Sequence, residues 1–139
     1  MSADTARRRA REVALQVLFQ MEFVPDIELA TRLDYFRMHL DITEDAWAYA
    51  EQILQGIEKH KQELDNIITE KSRNWKISRM APVDLCLLRI GVYELSFGQN
   101  EVPPKVAINE AIEIAKRFSG TESSHFINGI LDDVLRTNS

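Results

Sequence analysis

Four arginines in five positions, Arg7, Arg8, Arg9 and Arg11, are the densest chemical signal in the 139-residue chain. A guanidinium is a permanent cation whose planar fork matches paired oxygens of a phosphate or carboxylate. These four stand where a helix begins, a position whose macrodipole and unpaired N–H groups favour acids. Each misplaced cation costs roughly a few tenths of a kcal/mol, and the cations repel one another. Folding alone gains nothing from this arrangement, whereas a polyanion would supply the missing counter-charge. The alternative is a frayed, solvated terminus. On a helical wheel Arg7 extends the apolar stripe, Arg11 flanks it, and Arg8 and Arg9 point elsewhere. No one face holds all four, which suits a segment that is loose when free and wraps a single strand when bound.

Single-stranded RNA also needs flat side chains for its bases to stack on. Phe19 and Phe126 are candidates, with core packing as the competing role, and His125 beside Phe126 could touch a phosphate or a base. Ser123 and Ser124 read as helix-start residues, and Trp47 and Trp75 as core or subdomain anchors.

Motifs for catalysis are missing. The chain has no glycine-rich phosphate loop, no HExxH, no cysteine pair and no nucleophile elbow. His39, His60 and His125 fall on different helices without metal-ligand spacing, so no metal and no cofactor is expected. Adjacent Asp132 and Asp133 diverge by about 100° on a helix and form a solvated edge rather than an acid–base pair. The lone Cys86 sits among apolar residues as a core residue, and no internal disulfide is open to it.

A net charge of −5 argues against a general nucleic-acid coat. Residues 1–20 nevertheless carry +2, which leaves −7 for the remainder. Such a basic tip on an acidic body is suited to holding RNA locally and to taking a basic partner elsewhere. The basic N-terminus has no apolar run behind it, and Leu85–Leu95, the longest nearly apolar stretch, is interrupted by Arg89 and Glu94. A cytoplasmic protein without a membrane segment is expected.

The elements that must position these residues follow from hydrophobic spacing. Few glycines and prolines, with abundant Ala, Leu, Ile and Glu, favour helix. Apolar residues at three- and four-residue spacing predict a first helix from Thr5 to about Phe23 and a weaker one from about Asp26 to Leu40. Thr43 suits an N-cap for a helix from Glu44 to about His60, and a short helix follows to about Glu70. Pro82 opens a helix to Phe97 that is apolar on nearly all sides and so central. Residues 106–118 form another, closed by Gly120, and Glu122 to Arg136 the last. Asn128-Gly129 reads as a helical position needing close approach. The fold class is all-α, with six or seven helices.

Four blocks then stand out: RRRAREVALQVLFQ at 7–20, LLRIGVYEL at 87–95, VPPKVAINEAIEIAKRF at 102–118 and SSHFINGILD at 123–132. In this order and spacing the chain resembles the NusB family of transcription antitermination factors. Residues 24 to 74 match it in helical character alone. The resemblance implies two small packed helical bundles, about 1–74 and 75–139. It further implies binding of the boxA element of nascent ribosomal RNA jointly with a small-subunit ribosomal protein, NusE, within an antitermination complex on RNA polymerase.

Carried over by position, Arg7, Arg8 and Arg11 belong to the family's arginine-rich RNA-binding segment. Phe19 stands where tyrosine is frequent, keeping the ring without the hydroxyl. His125 takes a place often held by lysine, which makes its phosphate contact weaker and pH-dependent. Phe126 and Asn128 match a block near the RNA. Glu122 corresponds to an acid that faces NusE, with Asp84 a second acidic match; both positions also suit first-turn helix acids. Two other readings are an accessory domain like that of ribosomal RNA cytosine methyltransferases, disfavoured because the chain ends at Ser139, and a homodimeric interaction module hiding its RNA surface.

Overall fold

The computed structural model of the chain describes residues 3–73, 75–98 and 101–138, with backbone alone at 3 and 4. Six α-helices follow one another: α1 (Ala3–Phe23), α2 (Leu29–His39), α3 (Glu44–Ser72), α4 (Pro82–Ser96), α5 (Pro104–Phe118) and α6 (Thr121–Asn138). One turn of 3-10 helix, Ile77–Arg79, precedes α4. Among the described residues there is no strand, and the fold is all-α as the composition requires. Two compact units divide the chain, Met1–Gln55 and Gly56–Ser139. The boundary therefore falls inside α3.

In the first unit the periodic residues of α1 are buried as their spacing dictates, with Ala10, Val13, Ala14 and Val17 fully enclosed. Pro25 and its neighbours end that helix, and α2 begins at Leu29. The hydroxyl of Thr43 accepts the Ala46 N–H at 3.3 Å, so it caps α3 as expected. Behind that cap Ala46, Trp47, Ala50 and Ile53 are buried.

The second unit opens on the remainder of α3. At His60 the backbone leaves the helical region (φ −108°, ψ 17°), which is where the sequence predicts one helix to end and another to start. The imidazole stacks on Phe97 at 4.1 Å between centroids, with Nδ1 3.1 Å from Glu63 Oε1. Pro82 opens α4, whose residues Asp84 to Glu94 are all buried, and α5 and α6 pack against it and each other. Arg89, 5% exposed on this helix, forks onto Asp65 of α3 through Nε–Oδ1 at 2.9 Å and Nη2–Oδ2 at 3.1 Å. Bidentate geometry of this kind is what a buried guanidinium needs to offset its lost hydration.

Two glycines permit close approach to α4. A Cβ on Gly91 would lie 2.8 Å from Leu131 of α6, and one on Gly56 would collide with the ring of Tyr93. Gly129 behaves otherwise. It is exposed, and a Cβ there would meet nothing within 4 Å, which corrects the close approach expected at Asn128-Gly129. Gly91→Ala is expected to lower the unfolding free energy by about 1–3 kcal/mol through overpacking. Gly129→Ala should raise it by up to about 1 kcal/mol through helix propensity. Urea midpoints read both, and a stabilised Gly91 variant would refute the packing argument.

Candidate nucleic-acid interface

The arginines of α1 separate by environment. Arg8 is exposed, Arg7 and Arg9 are half-buried, and Arg11 is only 2% exposed. The guanidinium carbons of Arg7 and Arg11 stand 5.3 and 5.7 Å from the centroid of the Tyr49 ring, and Arg9 approaches Glu12 at 3.9 Å. Cation–π contacts of this length contribute about 0.5–2 kcal/mol, more as water is excluded. Arg11 thus takes the flank of the apolar stripe that its wheel position suggests, enclosed beside the Tyr49 ring that Arg7 also approaches. The segment is helical from Ala3 onward.

One turn before the end of α1, Phe19 is 38% exposed and meets Phe23 at 4.9 Å, with the rings inclined by 58°. Phe23, itself 62% exposed, adds a second ring whose i+4 spacing from Phe19 is legible in the sequence. The loop that follows is anchored by Arg32 of α2, a side chain only 1% exposed. Its Nε donates to the Ile27 carbonyl at 3.0 Å, Nη1 to Gln20 Oε1 at 2.9 Å, and Nη2 to the Val24 carbonyl. Among the described residues no carboxylate meets this guanidinium, so main-chain and amide oxygens alone satisfy a buried cation. Nothing in the local sequence around Arg32 marks it out.

In the second unit a cleft of about 420 Å³ is lined by Trp75, Arg79, Met80, Asp84, Glu122 and Phe126, among others. It brings together Asp84, Glu122 and Phe126, three residues singled out in the sequence. Asp84 is buried; its Oδ2 accepts from the Ser123 hydroxyl at 3.2 Å, and its Oδ1 has no hydrogen-bond partner among the described residues. Glu122 is exposed, Phe126 half-buried, and His125 and Asn128, exposed and half-buried on α6, do not line the cleft.

Trp75 corrects an expectation. Trp47 is a core residue at 2% exposure, but Trp75 is 53% exposed and touches Phe126 edge-on at 5.9 Å. Its main chain is fixed none the less. The Trp75 N–H donates to the Ser72 carbonyl at 3.2 Å, and the buried Ser72 hydroxyl donates back to the Trp75 carbonyl at 2.9 Å. Arg73 takes a left-handed backbone (φ 53°), which costs a non-glycine residue roughly 1–2 kcal/mol. The pattern Lys71, Arg73, Trp75, Lys76, Arg79 was legible as basic residues interleaved with an aromatic. No three or more His, Cys, Asp or Glu among the described residues are grouped so as to hold a metal ion.

The family model described as the NusB family matches residues 8–136. The chain belongs to the NusB family. A relative named transcription antitermination protein NusB, from Bdellovibrio bacteriovorus, is 46% identical over 130 residues, covering 94% of this chain and 95% of the relative. Among solved structures, T. maritima NusB matches with a TM-score of 0.83 and 35% identity over 94% of this chain and 90% of that one. A chain from the crystal structure of antitermination factors NusB and NusE in complex with dsRNA gives a TM-score of 0.85 at 23% identity, a likeness of fold, over 96% of this chain and 98% of that one. The NusB fold thus carries both clusters described above, one in each unit.

Replacing Arg32 by leucine removes three hydrogen bonds from a cation while relieving its desolvation, a net loss of about 2 kcal/mol. Urea unfolding checks it. A midpoint equal to that of the unaltered chain would mean the loop holds without its clamp.

Proposed function

We propose that this NusB-family chain is a transcription antitermination factor that binds boxA-type single-stranded RNA of nascent ribosomal transcripts together with the ribosomal protein NusE. The observation that carries this reading is the opening of α1, where Arg8 is exposed and Arg7 and Arg9 half-buried on a molecule of net charge −5. A cluster of cations set against a helix dipole on an otherwise acidic chain suits the phosphates of a nucleic acid. The reading is further supported by relatives named transcription antitermination protein NusB and by the shared fold of NusB in complex with NusE and RNA.

In this reading Arg7 and Arg8 meet phosphates, with Arg11 and Tyr49 holding them in place. Phe19 offers a stacking face, and His125, Phe126 and Asn128 of α6 form the RNA contact of the second unit. Glu122, exposed on the cleft, and Asp84 behind it face the protein partner. Ribosomal proteins are generally basic, and complementary charge speeds and orients such an encounter. The assembly joins RNA polymerase, and the chain acts in the cytoplasm by binding, with no catalytic step and no cofactor. No described helix is long and apolar enough to cross a membrane.

Fluorescence anisotropy with a boxA RNA and a scrambled control, with and without NusE, tests the whole. Arg7→Ala combined with Arg8→Ala should weaken boxA binding at least about tenfold and reduce the slope of log K against log salt by roughly 1.4, at about 0.7 per phosphate contact. Helicity should be unchanged, and retained affinity would count against α1 as the RNA element. Glu122→Lys should weaken NusE binding by more than it weakens RNA binding. Equal losses, or none, would remove Glu122 from the partner surface.

A further inference from the structure

We propose that Trp75 and its exposed basic neighbours form a further single-stranded RNA contact, in which the indole stacks on a base while Arg73, Lys76 and Arg79 meet the flanking phosphates. This rests on the RNA-binding function proposed above and extends it to a segment to which the family resemblance assigns no role.

Four observations lead here. Trp75 is left 53% exposed, whereas the chain's other tryptophan is enclosed at 2%. A large amphipathic ring in water next to cations is the composition of single-strand binding surfaces. The ring is also pre-positioned. Reciprocal hydrogen bonds with Ser72 fix the main chain of Trp75, and the edge contact with Phe126 steadies the indole without enclosing it. A stacking platform that is already ordered loses little entropy on binding. Arg73, Lys76 and Arg79 are all exposed, and among the described residues none of them meets a carboxylate. Lastly, the cleft beside Trp75, about 420 Å³ and lined by Met80, Arg79 and Phe126 as well, has room for one nucleobase.

Arg73, Lys76 and Arg79 give this segment three exposed cations, and of these Arg79 alone lines the cleft, beside Glu122 and the buried Asp84. Charge along the segment therefore suits the phosphates of a strand, and the cleft adds the apolar faces of Trp75 and Phe126 for a base. Glu122 and Asp84, on α6 and α4, stay with the protein partner of the proposed function.

Because Trp47 is enclosed and out of reach of a base, the change in intrinsic fluorescence reports chiefly on Trp75 when the whole chain is titrated with a boxA-type single-stranded RNA. Stacking is expected to quench the emission saturably, with a midpoint equal to that from anisotropy. Trp75→Leu should abolish the quench and weaken binding about 5- to 100-fold. Lys76→Ala with Arg79→Ala should lower the salt slope by roughly 1.4. Circular dichroism of each variant should match that of the unaltered chain. Should the unaltered chain bind RNA while both variants keep its affinity and salt slope, the Trp75 contact is refuted and the α1 reading stands. If the unaltered chain binds no RNA at low salt, both fall. Loss of NusE binding in Trp75→Leu with RNA affinity intact would hand the cleft to the protein partner and overturn the proposal.

Discussion

A buried cation sets the terms for the second unit. Arg89 lies on a helix enclosed along its whole middle length, and such a charge persists only with a well-placed partner. Asp65 supplies it through two parallel bonds, and in doing so ties α3 beyond its kink to α4. Ser72, about two helical turns past Asp65, then fixes Trp75, and the 3-10 turn leads the chain back to Pro82 and α4.

The same device occurs in each unit. On α1 a row of arginines stands beside a tyrosine and, further along, an exposed pair of phenylalanines. After α3 three exposed cations flank an exposed tryptophan. Both follow the logic of single-strand recognition, in which cations hold the backbone and rings take the bases without demanding a sequence. The acidic remainder of the chain confines this chemistry to two places. Buried arginines serve a different end: Arg11 and Arg32 brace the surfaces beside them, one beneath an aromatic ring and the other under a loop of carbonyls.

Helices and their limits were legible in the sequence because they depend on near neighbours. Thr43 caps α3 within three residues, Pro82 starts α4 at its first turn, and the loss of periodicity at His60 appears as a kink. What the sequence left hidden depends on partners far along the chain. Trp75 reads as a core or subdomain anchor by its type, and only the fold shows its ring facing water. Arg32 looks like any surface arginine of a weak helix until the loop before it folds over the guanidinium. Gly129 misled in the other direction, since its type suggests a crowded site where the structure has open space. Phe126 and Asp84, 42 residues apart, were assigned to different ligands, and the fold sets them on one cleft.

Cys86 has a practical bearing. It is wholly enclosed in α4, beyond the reach of oxidants and alkylating reagents as long as the helices stay packed. Redox conditions that trap surface thiols should leave the folded chain untouched. A cysteine introduced on either basic surface would then be its sole reactive thiol, which makes the native molecule a ready host for a single spectroscopic label.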